Sequence, residues 1–315
     1  MTADSAPPAE TTSAPVPPPA GARGVGIALA AASATGLGLA VALSRLAYEG
    51  GSNGLTVALT RSLVFVTGIG LLCLLSRRTL RVAASDRAHL LGLGLLVALM
   101  FYGNIASVQF ISVGLAALLF YTFPPMIAAI EAVVSRRLPA AGKLVAVGTA
   151  FAGLAVMLGV SFDAADPRGI GLAMAAALGA ATHSVWFGRK VAHVDAMVAS
   201  LYMGAVAAAV LCTVALVSGG LRWPETPLGW SGFAGVVLLQ STGLPLYLMA
   251  IKRIGALDCA VIANTQPVAS IVAAYLLYSE VLGVVQLTGG AMVLAGIWLM
   301  QRSESRSRRA GAAGG

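Results

Sequence analysis

The chain has 315 residues, 58% hydrophobic and 10% charged, with a mean hydropathy of +0.88. Soluble domains carry about a quarter charged residues, so this composition belongs in a lipid bilayer and leaves no stretch for a soluble catalytic domain. The formal net charge of +8 is therefore read loop by loop as an orientation signal, and not as a nucleic-acid footprint.

In chain order, residues 1–22 hold six prolines among Ala, Ser and Thr, the composition of a disordered tail. The tail lacks a basic start and a cleavage pattern, so the first apolar helix is expected to be retained. Apolar runs follow at 24–46, 54–75, 88–108, 112–134, 142–160, 168–187, 196–218, 228–250, 255–278 and 283–301, each near the length that crosses a bilayer. They are numbered here as spans 1 to 10. A basic tail, 302–315, ends the chain. The three cysteines, Cys73, Cys212 and Cys259, are widely spaced in or near apolar segments, which suits packing residues and not a disulfide framework or a metal site.

Most of the twenty basic residues fall on one side of this alternation. Arg77, Arg78, Arg81 and Arg87 lie between spans 2 and 3, Arg136, Arg137 and Lys143 between 4 and 5, and Lys252 and Arg253 after span 8. The opposite side receives Arg45, Arg168 and Arg222. The positive-inside rule then places both termini in the cytoplasm, giving a multi-pass membrane protein.

Sliding the chain on itself by 143 positions superposes Thr122 on Thr265, Pro124 on Pro267, Leu144 on Leu287 and Ala152-Gly153 on Ala295-Gly296. A series at one offset reads as an internal duplication. Five spans per copy is an odd number, so the second copy enters the membrane from the other side. The expected fold is thus an all-α membrane protein of ten transmembrane helices in two inverted five-helix repeats, 23–160 and 161–301, the architecture of secondary transporters. Pro124 and Pro267 each remove a helix donor and free a carbonyl, at Phe120 and Ala263. Such backbone is tolerable in lipid only beside protein or a wet cavity, so both segments are expected to line one polar pathway.

Two five-helix repeats, each ending in a proline-bearing helix, a short hairpin and a helix containing Ala-Gly, resemble the drug/metabolite transporter (DMT) superfamily and its bacterial EamA-like exporters. The stretches that carry the resemblance are Asn264-Thr265-Gln266-Pro267, Ser279-Glu280-Val281-Leu282 and Leu294-Ala295-Gly296, more weakly Val113 to Gly153, and Arg61 after Thr56-Val57-Ala58-Leu59-Thr60. The first repeat departs from the pattern, with Arg136-Arg137 where Gly-Glu is common and Phe123 where Glu or Gln commonly precedes the proline. The resemblance implies a permease of a bacterial inner membrane that exports a small metabolite, with multidrug or other metabolite transport as the alternative. An intramembrane lipid-modifying enzyme is the rival of another class, and it requires a convergent cluster of acids, His or metal ligands.

The candidate substrate contacts are Tyr102, Asn104, Tyr121, Thr122, Trp186, Gln240, Asn264 and Gln266, with Gln109 and Tyr247 in the wider inventory. Uncharged donors and acceptors with aromatic rings suit zwitterionic or amphipathic solutes. The candidate coupling or gating residues are Glu131, His183, Arg61, Pro124 and Pro267. Glu131 shares a helical stripe with Tyr121, Pro124 and Ala128, and is either a protonatable site or a near-surface acid paired with Arg136. Arg61 either binds an anionic group or clamps the repeat interface. His183 and Trp186, three residues apart, can face one way. Asp258 is expected to cap span 9 with Lys252 and Arg253 nearby. Asp163 and Asp166 read as a loop. No cofactor or metal is expected; the partners are a small-molecule substrate, the bilayer and protons, with a monomeric or homodimeric protein.

Overall fold

The computed structural model describes residues 20–107, 110–111, 113–159, 166–278 and 283–313, and among them every regular element is helical. The helices are α1 (Ala20–Glu49), α2 (Gly54–Leu75), α3 (Ala84–Ser107), α4 (Val113–Phe120), α5 (Phe123–Ser135) and α6 (Ala141–Leu158), then α7 (Pro167–Trp186), α8 (Ala196–Ser218), α9 (Pro227–Ile254), α10 (Ala256–Ala263), α11 (Thr265–Tyr278) and α12 (Val284–Ala313). A π-helical turn, Phe187–Val191, extends α7. Among the described residues ten helical stretches are long and apolar enough to cross a membrane, matching the ten expected spans. Two boundaries differ: α1 begins at Ala20 and α12 runs to Ala313, so both expected tails are partly helical. Ser279 to Leu282, Gln109 and Asp163 lie outside the described residues.

Spans 4 and 9 are each two helices. α4 ends at Phe120 and α5 starts at Phe123 with proline in its first turn; α10 ends at Ala263 and α11 starts at Thr265, two residues before Pro267. The last residue of each first piece is the one whose carbonyl the proline deprives of its donor. The breaks are closed alike, with the Thr122 hydroxyl donating to the Leu119 carbonyl at 2.6 Å and that of Thr265 to Ile262 at 2.7 Å.

Four of the other starts are capped by short polar side chains, which satisfy helix N–H groups that have no partner of their own. Asn53 accepts from Thr56 N at α2, Asp195 from Met197 N and Val198 N at α8, and Thr226 from Gly229 N at α9. Asp166 caps α7; hydrogen bonds from the guanidinium and then the amide of Arg168 hold its carboxyl below the usual carboxylate range.

Packing partners exchange with the halves. α1 packs on α9 as α7 packs on α3, α1 packs on α11 as α7 packs on α4 and α5, and α2 packs on α9 as α8 packs on α3; α2 meets its counterpart α8, and α6 meets its counterpart α12. The correspondence extends to single atoms. A Cβ at Gly153 would lie 2.6 Å from Val293 N and 2.7 Å from Gly289 O, and one at Gly296 2.6 Å from Ala150 N and 2.8 Å from Ala146 O. Each contact maps onto the other at the 143 offset. Gly26 against Arg253 and Ile254 repeats in the same way as Gly169 against Phe110 and Ile111. Only glycine permits the α6–α12 approach, because a methyl group would meet backbone. These two helices run antiparallel, with Gly142 at the start of α6 against Ser303 near the end of the membrane-crossing part of α12, and Met157 against Gly289.

Outward faces are apolar, with Leu71, Leu75, Leu216, Val217, Val284 and Leu287 all exposed, as a lipid-facing surface requires. Trp223 and Trp230 stack at 6.2 Å beside Phe233, in the manner of aromatic residues at a membrane interface.

Candidate functional site

Arg61, on α2, reaches across to α9, where its Nη1 donates to Gln240 Oε1 at 2.6 Å. Its guanidinium carbon lies 3.5 Å from the ring centroid of Phe101 on α3, a cation–π contact at close range. The Ser241 hydroxyl bonds both the Arg61 carbonyl at 3.1 Å and the Val237 carbonyl at 2.6 Å. Pro245, inside α9, has no N–H to serve the Ser241 carbonyl. Around these groups α2, α3, α8 and α9 leave a cavity of about 20 Å³, room for one water-sized group.

The lining of this cavity follows the 143 offset. Arg61, Val97 and Phe101 from the first half and Gly204, Gln240 and Leu244 from the second all line it, and each is the other set's equivalent at the 143 offset. The cavity therefore sits where the halves meet, with scaffold positions shared and chemistry not: a cation opposite a glycine, an amide opposite a valine.

A second cluster joins the halves near one end of the bundle. Asp258, in the first turn of α10 and 3% exposed, pairs with Arg23 of α1 at 3.3 Å and with Lys143 of α6 at 3.1 Å. Asp258 lies in the first turn of span 9 as expected, and its cations come from α1 and α6 and not from the nearby Lys252 and Arg253. Lys252 donates to the Val194 carbonyl and Arg253 to that of Met249, because α10 starts after a positive-φ Gly255 that turns Asp258 inward, away from the end of α9.

The remaining candidates lie apart from the cavity, in five places. At the span 9 break Asn264 is fully buried and neither side-chain polar atom has a hydrogen-bond partner; Gln266 is half-buried in the next turn. At the span 4 break Tyr121 is buried against Phe120 and Phe123, Thr122 is spent on its helix and lies near the sulfurs of Met126 and Met174, and Pro124 and Pro267 are buried. On α7, His183 is buried with Nε2 unpartnered and stacks on Phe187. Trp186 instead donates to His89 Nδ1 at 3.3 Å and covers Gly92, so the two residues serve different contacts. Tyr102 and Asn104 are exposed and do not line the cavity. Glu131 forms no ion pair with Arg136; the cations acting on it are Lys143 and Arg189. Sequence reasoning missed Phe101, Ser241 and Gly204 at the cavity and the Arg23–Asp258–Lys143 cluster. The 143 offset applied to Arg61 points at Gly204, whose blank side chain carries no polar signal.

Residues 167–302 match the model of the EamA-like transporter family. The matched stretch is similar to an EamA-like transporter domain, a family of the DMT superfamily whose members are transporters. With ten helical stretches long and apolar enough to cross a membrane among the described residues, the likeness suggests a multi-pass membrane protein of that type. Among curated proteins none matches the chain. A solved crystal structure superposes with a TM-score of 0.71 at 21% identity, covering 89% of this chain and 97% of the other. At that identity the likeness concerns the fold.

Proposed function

We propose that this DMT-type transporter is a secondary permease of a bacterial inner membrane, exporting a small metabolite such as an amino acid or related amphipathic compound by alternating access between two inverted repeats, 23–160 and 161–301. The observation that carries the reading is the cavity lined by equivalent residues of both halves. Two equivalent helices packed antiparallel, as α6 and α12 are, favour a two-fold axis in the membrane plane, and a cavity on such an axis lies at mid-depth, where transporters of this architecture hold solute. The Arg23–Asp258–Lys143 cluster is the closure on the basic, cytoplasmic side. Opening that side separates α10 from α1 and α6.

The driving force is the proton gradient, with Glu131 as the titrating group, or facilitated diffusion. One charge moved through 100 mV supplies about 2.3 kcal/mol, roughly fifty-fold accumulation. The test is counterflow in proteoliposomes across labelled amino acids and cationic dyes. Amino-acid exchange above protein-free vesicles is expected. Exchange of dyes alone would shift the reading to multidrug export, and no exchange of any solute beside a working control carrier would overturn it.

A further inference from the structure

We propose that the Arg61 cavity is an anion subsite, in which the guanidinium receives the carboxylate of the transported solute and so restricts the cargo to organic acids and amino acids, to the exclusion of amines. The proposal rests on the permease reading above and names its substrate class.

Arg61 differs from the buried Asp258, which gathers two cations, and from the exposed Arg45, Arg78 and Arg168, each of which pairs with a carboxylate. Arg61 has no acid within ion-pair distance among the described residues, and no acid lines its cavity. Its partners are one amide oxygen and one aromatic face. Both hold a guanidinium in place without neutralising it, and four of its five N–H donors are left to other acceptors. A bare cation inside a span costs about 2.5 to 3.5 kcal/mol on insertion scales. A solute carboxylate arriving at that point recovers the cost in the bound state, with the planar fork offering two parallel hydrogen bonds.

The surroundings fit the rest of such a solute. Phe65, Val97 and Leu244 wall the cavity with hydrocarbon. Gly204, opposite Arg61, adds no bulk, and the Ser241 carbonyl freed by Pro245 is an acceptor for a donor group such as an ammonium. About 20 Å³ takes a carboxylate oxygen in this closed form, and separation of the halves makes room for the body.

The experiment presents several apolar bodies (phenyl, indolyl and isobutyl), each bearing a carboxylate, an α-amino carboxylate, an amide or an amine head, to the full-length protein in a proteoliposome counterflow assay. Wild type is expected to carry at least one series bearing a carboxylate about tenfold or more faster than its amide and amine. Arg61→Gln removes that preference and Arg61→Lys retains part of it. Gln240→Glu sets an internal carboxylate against the guanidinium; it is expected to abolish carboxylate transport while melting no lower than wild type, whereas a purely structural clamp would be strengthened without loss of transport. Amines or amides carried best, or a carboxylate preference that survives both Arg61→Gln and Gln240→Glu, would overturn the subsite and leave the permease standing. Transport of no member of any series would overturn both.

Discussion

The two halves of the molecule share contacts at the level of single backbone atoms and share almost none of their polar chemistry. A Cβ added at Gly153 or at Gly296 would lie 2.6 to 2.8 Å from equivalent atoms, yet Arg61 is matched by Gly204, Gln240 by Val97, Asp258 by Leu115, Asn264 by Tyr121, His183 by Ala40 and Glu131 by Ala274. The shared contacts are those of the scaffold, because helix-to-helix approach is dictated by small residues and backbone. Function then needs one copy of each polar group, since a like group at the equivalent position would duplicate a buried charge at close range and add its desolvation cost.

Substituting one half's residue into the other tests this division. The largest effect is expected for Asp258→Leu, which copies Leu115 and removes the buried carboxylate that Arg23 and Lys143 share. Breaking a buried pair costs about 3 to 5 kcal/mol, and the partial exposure of both partners puts this case near about 3. Thermal unfolding in detergent would measure it, and an unchanged melting temperature would remove the cluster from the account.

Gly153→Ala and Gly296→Ala follow, at about 1 to 3 kcal/mol each from forced separation of α6 and α12. The two should agree closely, and the double variant should cost less than their sum, because one separation relieves both clashes. Unequal single effects would break the equivalence of the halves.

Smaller still are the caps. Asn53 and Asp195 start counterpart helices α2 and α8 one position out of register with the duplication. Asn53→Ala and Asp195→Ala should each cost about 1 kcal/mol by unfolding. The least effect on stability is expected for Asn264→Ala, which removes two buried polar atoms that have no partner and so costs nothing or stabilises by about 1 kcal/mol. If Asn264 contacts the solute, counterflow falls in that variant although the protein melts no lower.

Much of this fold was legible in the sequence. Hydropathy marks ten spans because lipid demands about 20 apolar residues per crossing, and Pro124 and Pro267 mark both helix breaks because a missing donor is a local property. The site was less legible. Arg61 and Gln240 are individually conspicuous, but a hydrogen bond across 179 positions leaves no trace in a helical period. Phe101 was indistinguishable from lipid-facing neighbours such as Tyr102, since both sit in an apolar run and only packing decides which one turns toward α2. The place of Asp258 in the first turn of span 9 was legible, but the cations on α1 and α6 that it meets were not.

The central claim is that one cavity between the halves opens to each side of the membrane in turn. Replace Cys73, Cys212 and Cys259, introduce Ser241→Cys at the cavity, and follow its labelling by a membrane-impermeant thiol reagent applied to either face of oriented vesicles. The account predicts labelling from both faces, with transported solute changing the two rates in opposite directions. A thiol reached from one face only, or from neither, would contradict it.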